Sequence, residues 1–545
     1  MAEARAHVEE KVTPTRARAR LPPEKIMIRS TRRSLLFLTA FTLTGAGGSP
    51  AAWARVEVAR AFGDHMVLQR DMAVPIWGKA DAGEKITVRF LGQAKTATAD
   101  ANGRWRIKLD PLKAGGPHEL TVAASNTIKL KDVLVGEVWV GSGQSNMAGG
   151  AGGYAKRDQT LAKVLASAPY PRLRLMRSPG SWTEADAKSA AGFSALLLAF
   201  GHGLHEQLDV PVGLIVGAVG GTPSGYWLSR EAYEADEACK NVIAEASLKF
   251  DEKAVAERYR QSLAKWEKAA AKAKKDGKRA PRKPGPPAKP GTVSSGTLGG
   301  LYERFIRPVV GYGIRGVLWD QGESGTRIVG MDQYTLMGAL IRGWRNEWGQ
   351  GDFPFLYIQK PSGGGCAWDP SDPVTRNAEK FSALPGAAKD GVYRDLHIRI
   401  RNYPKTYMVT ASDLGSGVHP TNKWGYGQRA VRVALGAAYG RKVAIYGPTY
   451  ESHRVEGNKV RVRFVNVGKG LAARHDKKLQ GFAIAGEDKV FHWAEARIDG
   501  GSVVLSSDKV SKPVAVRYAW SRKHAWANLF NQDGLPALTF RTDNW

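Results

Sequence analysis

The chain has 545 residues, 43% of them hydrophobic and 16 of them Trp, which is enough apolar material to fill two or three cores. The formal net charge of +29 lies largely in the N-terminal leader and in one Lys/Pro-rich segment, and the usual nucleic-acid-binding signatures are missing, so we expect no nucleic-acid partner. Cys239 and Cys366 are far apart and lack metal-ligand spacing, which argues against a disulfide framework and a zinc site. An anionic partner such as an acidic glycan stays open.

Residues 1–54 have the pattern of a leader with an export signal. The apolar run 34–43 follows Arg32-Arg33 and is too short to span a bilayer, so we expect no stable membrane span. Ala52-Trp-Ala54 offers the small-x-small pattern of a signal peptidase site. The arginine pair suggests the twin-arginine route, an ordinary Sec signal is the alternative, and Met27 is a second candidate start. These features predict an exported protein, periplasmic or extracellular.

Residues 55–130 are predicted to form an N-terminal β-domain. Short runs rich in β-forming residues alternate there with Gly, Asp and Asn turns, for example Val74-Pro-Ile-Trp77 and Ile86-Thr-Val-Arg-Phe90. This spacing is typical of an antiparallel β-sandwich. We expect it to serve packing and solubility, with glycan binding as the alternative.

Residues 131–440 are predicted to form an α/β core. Five apolar strand candidates alternate there with helical stretches such as 332–348 and 422–439. The strand candidates begin at Val133, Val212, Ile314, Phe355 and Tyr407. Ligands bind beyond the carboxyl ends of the strands in an open parallel sheet, so the segments after these strands should converge on one site. A doubly wound, three-layer α/β/α arrangement is the natural prediction.

Two further regions complete the predicted organisation. Within the core, residues of about 245–295 form a basic Ala/Lys/Glu-rich helical stretch that runs into a proline-rich end, which we interpret as a solvated insertion. Residues 441–545 return to short β-type runs with Gly and Asp turns, which predicts a C-terminal β-domain.

The strongest candidate for a catalytic group follows the first core strand. The apolar run Val133–Val140 stops abruptly in the glycine-rich turn Gly141-Ser-Gly-Gln-Ser145-Asn-Met147. Glycines allow a sharp turn, so the Ser145 hydroxyl can stand at the carboxyl end of the strand beside free N–H groups of the next helix. Such N–H groups suit an oxyanion, although a capping serine in an ordinary strand-to-helix turn would have the same pattern.

The motif Gly-Gln-Ser145-Asn-Met, preceded by Gly136-Glu-Val-Trp139, resembles the first sequence block of the sialate O-acetylesterase family of SGNH hydrolases. Three later stretches are similar to further blocks of that family: Gly220-Gly-Thr-Pro-Ser-Gly-Tyr-Trp227, Gln321-Gly-Glu-Ser324 and His419-Pro420. The resemblance extends from about Met66 to the C-terminus. It implies a flavodoxin-like SGNH-hydrolase core with flanking β-sandwich domains, and it makes Ser145 the nucleophile.

The resemblance also assigns the other catalytic roles. It implies that the Gly221 N–H lines the oxyanion hole, with Gly220 as the alternative, and that Gln321 is a second candidate donor. Of the 11 histidines, His419 alone follows a core strand and precedes a helix, and an imidazole suits general base work near neutral pH. The family block likewise makes His419 the base.

The acid that would orient the base has two candidates. Many SGNH relatives carry an aspartate two or three residues before the catalytic histidine, where this chain has Gly417 and Ser416. Asp413 and Glu323 therefore both stay open as the acid of a Ser-His-acid triad, and an Asx-type turn is an equally good explanation of Asp413.

The chain is accordingly predicted to be an exported carbohydrate O-acetylesterase that acts on acetylated oligosaccharides or polysaccharides. No metal or organic cofactor is expected to take part. The alternatives are a secreted glycan-binding protein on an inactive esterase scaffold and a general secreted esterase.

Overall fold

A computed structural model of the chain describes residues 55–361, 388–415, 417–474, 478–521 and 527–545. The predicted export signal, its cleavage site and Cys366 lie outside these residues. In the part of the chain that is described, no helix has the length and hydrophobicity needed to cross a membrane.

The N-terminal region is built of strands that pair mainly with antiparallel neighbours. Its strands are β1 Glu57–Val58, β2 Val67–Gln69, β3 Val74–Lys79, β4 Lys85–Phe90, β5 Gln93–Thr98, β6 Arg104–Leu109 and β7 Gly115–Ala123. The next strand, β8 (Thr127–Gly143), pairs with β7 through its first half and with core strands through its second half. One continuous strand therefore joins the N-terminal region to the core across the boundary predicted at residue 130.

The core sheet has the strand order β10-β9-β11-β8-β12-β13-β14. Its further strands are β9 Tyr170–Arg177, β10 Trp182–Ala185, β11 Val212–Ala218, β12 Gly316–Asp320, β13 Phe355–Ile358 and β14 Thr406–Val409. All neighbours are parallel except β10, which runs antiparallel to β9 at the edge. The mixed α/β class is confirmed. Strands β9 and β10 are not among the strands predicted from sequence; in β9, Tyr170-Pro-Arg-Leu-Arg breaks the apolar pattern that marks a buried strand.

Helices pack against both faces of this sheet. Alternate residues of a strand point to opposite faces, and on β12 Leu318 joins one hydrophobic cluster whereas Val317 and Trp319 join another. The first cluster contains helices α5 and α11, and the second contains α9. The helices are α1 Ser145–Ala148, α2 Ala151–Ala155, α3 Gln159–Ala166, α4 Ala187–Gly192, α5 Ala195–Leu208, α6 Arg230–Ala235, α7 Glu237–Leu248, α8 Glu252–Lys275, α9 Gln333–Trp348, α10 Ala388–Arg399 and α11 Lys423–Tyr439.

The predicted insertion contains the last turn of α7, the whole of α8 and an irregular stretch up to about residue 290. None of the 24 residues of α8 is buried, and the proline-rich end folds back along it, where the Trp266 indole donates to the Pro281 carbonyl at 2.7 Å. The C-terminal region is again β-rich. Its strands are β15 Thr449–Glu456, β16 Lys459–Val465, β17 Leu471–Ala473, β18 Phe482–Ala485, β19 Phe491–Trp493, β20 Glu495–Asp499, β21 Ser502–Ser506, β22 Ala515–Tyr518, β23 Leu529–Asn531 and β24 Phe540–Arg541.

Candidate active site

Ser145 lies at the carboxyl end of the central core strand. Strand β8 ends at Gly143, and Ser145 is the first residue of α1. Gly143 has a φ of 129°, and a Cβ there would overlap the main-chain carbonyl of Asp320 on β12, so the position requires glycine. The Gln144 N–H donates to the same carbonyl at 2.8 Å. These contacts hold the turn against β12 and set the Ser145 hydroxyl at the edge of the sheet.

The structure brings His419 into contact with Ser145. His419 lies in the loop between β14 and α11, and its Nε2 is 2.8 Å from Ser145 Oγ. When Nδ1 carries the ring proton, Nε2 accepts the hydrogen bond from the serine hydroxyl. His419 is exposed whereas Ser145 is half-buried, so the pair is open to solvent on the side of the imidazole. This is the arrangement of a nucleophile and its general base.

The loop after β11 provides N–H groups beside Ser145. A Cβ on Gly220 would lie 3.5 Å from the Ser145 Cβ, and Gly221 follows with a φ of 73°. Val219 anchors the loop by donating to the Gly143 carbonyl at 3.1 Å. Both glycines are exposed, and among the described residues neither N–H finds an acceptor. The N–H of Ser145, at the first position of a helix, also lacks an intrahelical acceptor. Together these groups could bind an oxyanion, and Gly220 lies at least as close to Ser145 as the predicted Gly221.

Gln321 does not occupy the position expected of an oxyanion donor. Its side chain is buried, and its amide nitrogen donates to the carbonyls of Thr222 and Gly325, each at 3.3 Å. Its amide oxygen accepts from Gln333 on α9 at 3.3 Å. Both amide protons are therefore used in tying two loops together, and the role of Gln321 as an oxyanion donor stays a prediction.

Asp413 is paired with arginine rather than with histidine. Its carboxylate accepts two hydrogen bonds from Arg429 on α11, at 2.8 and 3.1 Å, and Arg474 lies 3.7 Å away. Within the described part of the chain, the hydrogen bond to Ser145 is the one side-chain hydrogen bond of His419. Asp413 thus fixes the loop to α11, and its role as the acid that orients the imidazole stays a prediction.

Glu323, the other candidate acid, lies beneath the nucleophile turn. Its carboxylate accepts hydrogen bonds from Gln144 at 2.7 Å and Asn146 at 3.3 Å, and it forms an ion pair with Lys360 at 2.7 Å. It makes no hydrogen bond to His419. Neither expected acid reaches the imidazole, so the described residues form a Ser-His pair rather than a triad.

Two buried lysines lie beside the nucleophile turn. Neither is among the site residues predicted from sequence. Lys360 follows β13 and pairs with Asp320 as well as with Glu323. Lys423 is the first residue of α11, and its Nζ donates to Asn146 Oδ1 at 2.6 Å. Lys360 could have been found, because a lysine directly after an apolar core strand points toward the same edge of the sheet as the nucleophile.

Burial shifts the ionisation of these groups in different directions. Burial alone would lower the pKa of Lys360, but Asp320 and Glu323 outweigh that effect and raise it, so the ammonium form is kept. Burial raises the pKa of Asp320 despite the attraction of Lys360. For Lys423, burial dominates and lowers the pKa to about 7, because its attraction to Asp320 and Glu323 is weaker.

One other cluster has the residue types of a metal site. His65, Asp132 and Glu184 bring one ligand atom each within 4.8 Å of one another. The guanidinium of Arg174 contacts both carboxylates, however, and already supplies the positive charge that they would offer to a cation. We assign no metal to this cluster.

Comparison with known proteins identifies relatives that match most of the chain. Residues 135–269 match the model of the family described as carbohydrate esterase, sialic acid-specific acetylesterase. A sialate O-acetylesterase of Rattus norvegicus is 28% identical over 438 residues, which cover 71% of this chain and 74% of the relative. The Homo sapiens sialate O-acetylesterase is 25% identical over 511 residues, covering 84% and 86% respectively.

A solved structure is similar over almost the whole chain. It is the crystal structure of a carbohydrate acetylesterase from Xanthomonas citri, with 28% sequence identity and a TM-score of 0.70. The match covers 90% of this chain and 100% of that one. It therefore includes the flanking β-rich regions as well as the core.

Proposed function

We propose that the chain, an esterase similar to the sialate O-acetylesterases, is an exported carbohydrate O-acetylesterase with Ser145 as its nucleophile. The observation that carries this proposal is the 2.8 Å hydrogen bond between Ser145 Oγ and His419 Nε2 at the carboxyl edge of the core sheet. A serine hydroxyl becomes an effective nucleophile when a base accepts its proton as it attacks.

In the first half of the proposed reaction, Ser145 Oγ attacks the acetyl carbonyl and His419 Nε2 takes the hydroxyl proton. The carbonyl oxygen becomes an oxyanion, which the N–H groups of Ser145 and of Gly220 or Gly221 stabilise. Collapse of this intermediate breaks the bond to the sugar oxygen, which leaves with the proton from His419. The products are the free sugar hydroxyl and an acetyl ester on Ser145.

In the second half, water attacks the acetyl ester and His419 accepts one proton from it. The same N–H groups stabilise the second oxyanion, and collapse releases acetate and returns the proton to Ser145 Oγ. The exposure of His419 supports this step, since water reaches the imidazole directly. No acid contacts the other ring nitrogen among the described residues, so the proposed mechanism is that of a Ser-His dyad.

The core is proposed to be a three-layer SGNH-hydrolase fold flanked by two β-domains. The parallel order of the central strands and the helices on both faces support this proposal. Export to the periplasm or the cell exterior rests on the leader pattern of residues 1–54.

The proposed substrate is an acetylated oligosaccharide or polysaccharide. The names of the relatives support this class, because they describe sialate and carbohydrate acetylesterases. A general secreted esterase is the second candidate, and the open position of His419 is the observation in its favour, because an exposed site admits many esters.

The test is acetate release from acetylated sialosides, xylo-oligosaccharides and pectic fragments, compared by kcat/KM with an aryl acetate. We expect at least one glycan to exceed the aryl ester, because sugar contacts remote from the ester can contribute to transition-state binding. The Ser145→Ala variant serves as the control for uncatalysed release. Values at or below that of the aryl ester on every glycan would contradict the carbohydrate assignment and favour a general esterase. Glycan binding without turnover of any ester would indicate an inactive scaffold.

A further inference from the structure

The residue after the nucleophile holds the chain on both sides of His419. Asn146 is completely buried beneath the turn. Its side-chain nitrogen donates to the Val418 carbonyl at 3.0 Å, and its side-chain oxygen accepts from Lys423 Nζ at 2.6 Å. His419 lies between these two anchored residues, one position after Val418 and four before Lys423. A single amide therefore fixes the histidine loop directly against the segment that carries Ser145.

The chemistry of its neighbours determines the orientation of this amide. The Lys423 amine donates hydrogen bonds in both its charged and its neutral form, and as an ammonium group it can only donate, so the Asn146 oxygen faces Lys423. The nitrogen then faces the Val418 carbonyl and the Glu323 carboxylate, which can only accept. Turning the amide over would place donor against donor and acceptor against acceptor. Lys423 thus selects the orientation in which Asn146 can hold Val418.

Burying the Lys423 side chain at this position is energetically unfavourable. Its side chain is fully buried, and its Nζ lies 4.7 Å from the ring centre of Tyr154 and 5.2 Å from that of Tyr426. Burying an ammonium group is unfavourable unless strong partners compensate for the lost water. The carboxylates of Asp320 and Glu323 attract it from a distance, but among the described residues its one side-chain hydrogen bond is the bond to Asn146.

We propose that Asn146 and Lys423 are positioning residues that hold the His419 imidazole in register with Ser145, in place of the acid that performs this task in a triad. The inference rests on the proposed function. It explains how a histidine whose side chain bonds only to the serine, among the described residues, keeps a defined position. The anchor acts on the Val418 main chain on one side of the imidazole and on the Lys423 side chain on the other, whereas a triad acid acts on the ring itself.

The test compares Lys423→Met with Lys423→Gln, using an aryl acetate as substrate. The methionine cannot donate to Asn146, whereas the glutamine amide can, although it is one atom shorter than lysine. We expect Lys423→Met and Asn146→Ala to lower kcat about 10- to 100-fold with KM within about twofold of wild type, since small misplacements of catalytic groups have effects of this size. Lys423→Gln should recover part of the loss. Lys268→Met, on the exposed helix α8, is the matched control and should leave kcat unchanged.

Activity should be expressed per active site titrated with a fluorophosphonate that labels Ser145. A purely structural role would reduce the number of titratable sites but leave kcat per site unchanged, and that outcome would overturn the inference. Wild-type kcat per site in both Asn146→Ala and Lys423→Met would overturn it as well, while inactivity of Ser145→Ala would leave the proposed function standing. Full activity of Ser145→Ala would overturn the proposed function and this inference together.

Discussion

Lys423, the buried lysine at the start of α11, should make the stability of the protein depend on pH. The Lys423→Met variant should lack this contribution to the pH dependence. Burial lowers the pKa of Lys423 to about 7 from the ordinary lysine value of 10.5. Between these two values, the unfolded chain holds a proton on this lysine that the folded chain has released. Stability rises with pH wherever the unfolded state binds more protons, so this lysine destabilises the fold most below pH 7 and progressively less toward pH 10.5.

The size of the effect follows from the two pKa values. Integrating the proton-binding difference for a single group gives a gain of about 2–3 kcal/mol in unfolding free energy between about pH 6 and pH 9. Other groups titrate over the same interval, but most of them contribute equally to the wild type and to Lys423→Met. The difference in unfolding free energy between the two proteins therefore reports the contribution of Lys423.

The assay is urea-induced unfolding of wild type and Lys423→Met at both pH values, followed by tryptophan fluorescence. The unfolding free energy of the wild type should improve relative to the variant by about 2–3 kcal/mol on going from the lower to the higher pH. Lys268→Met should show no such relative change, because its side chain is exposed in both states. A wild-type to Lys423→Met difference that stays constant within about 0.5 kcal/mol would refute the reasoning about burial.

Two further substitutions test the other charged groups near the turn. Lys360→Met should lower the unfolding free energy by about 3–5 kcal/mol, because it leaves the buried carboxylates of Asp320 and Glu323 without their cation. A loss below about 1 kcal/mol in urea unfolding would contradict that pairing. Asp413→Asn should lower kcat on an aryl acetate by less than about tenfold, because its carboxylate binds Arg429; a fall of about 10⁴-fold would restore it as a triad acid.

Much of the core could be predicted from sequence because its elements have strong local signals. The helices predicted at 332–348 and 422–439 are observed as α9 and α11, each preceded by a residue whose side chain caps the first turn. The resemblance to the sialate O-acetylesterase family is confirmed by the comparisons, and with it the assignment as an esterase. The four-part division of the chain and the roles of the site residues stay predictions.

The partners of individual side chains could not be predicted in the same way. The arginine that binds Asp413 comes from α11, and the loops that bind the Gln321 amide come from two separate segments. Such pairings depend on how helices and loops pack in three dimensions, and local sequence carries no signal for them. The same holds for Lys423, which the sequence places next to a helix start, where a lysine is ordinarily exposed.

The central claim, that Ser145 is the nucleophile and His419 its base, is tested most directly by the Ser145→Ala variant. The measurement is kcat for hydrolysis of an aryl acetate by purified protein, with circular dichroism to verify the fold. The account predicts a loss of at least about 10³-fold, because removal of a nucleophile typically costs several orders of magnitude in rate. The claim would be contradicted if folded Ser145→Ala kept more than about a few per cent of wild-type activity, since a lost nucleophile leaves far less.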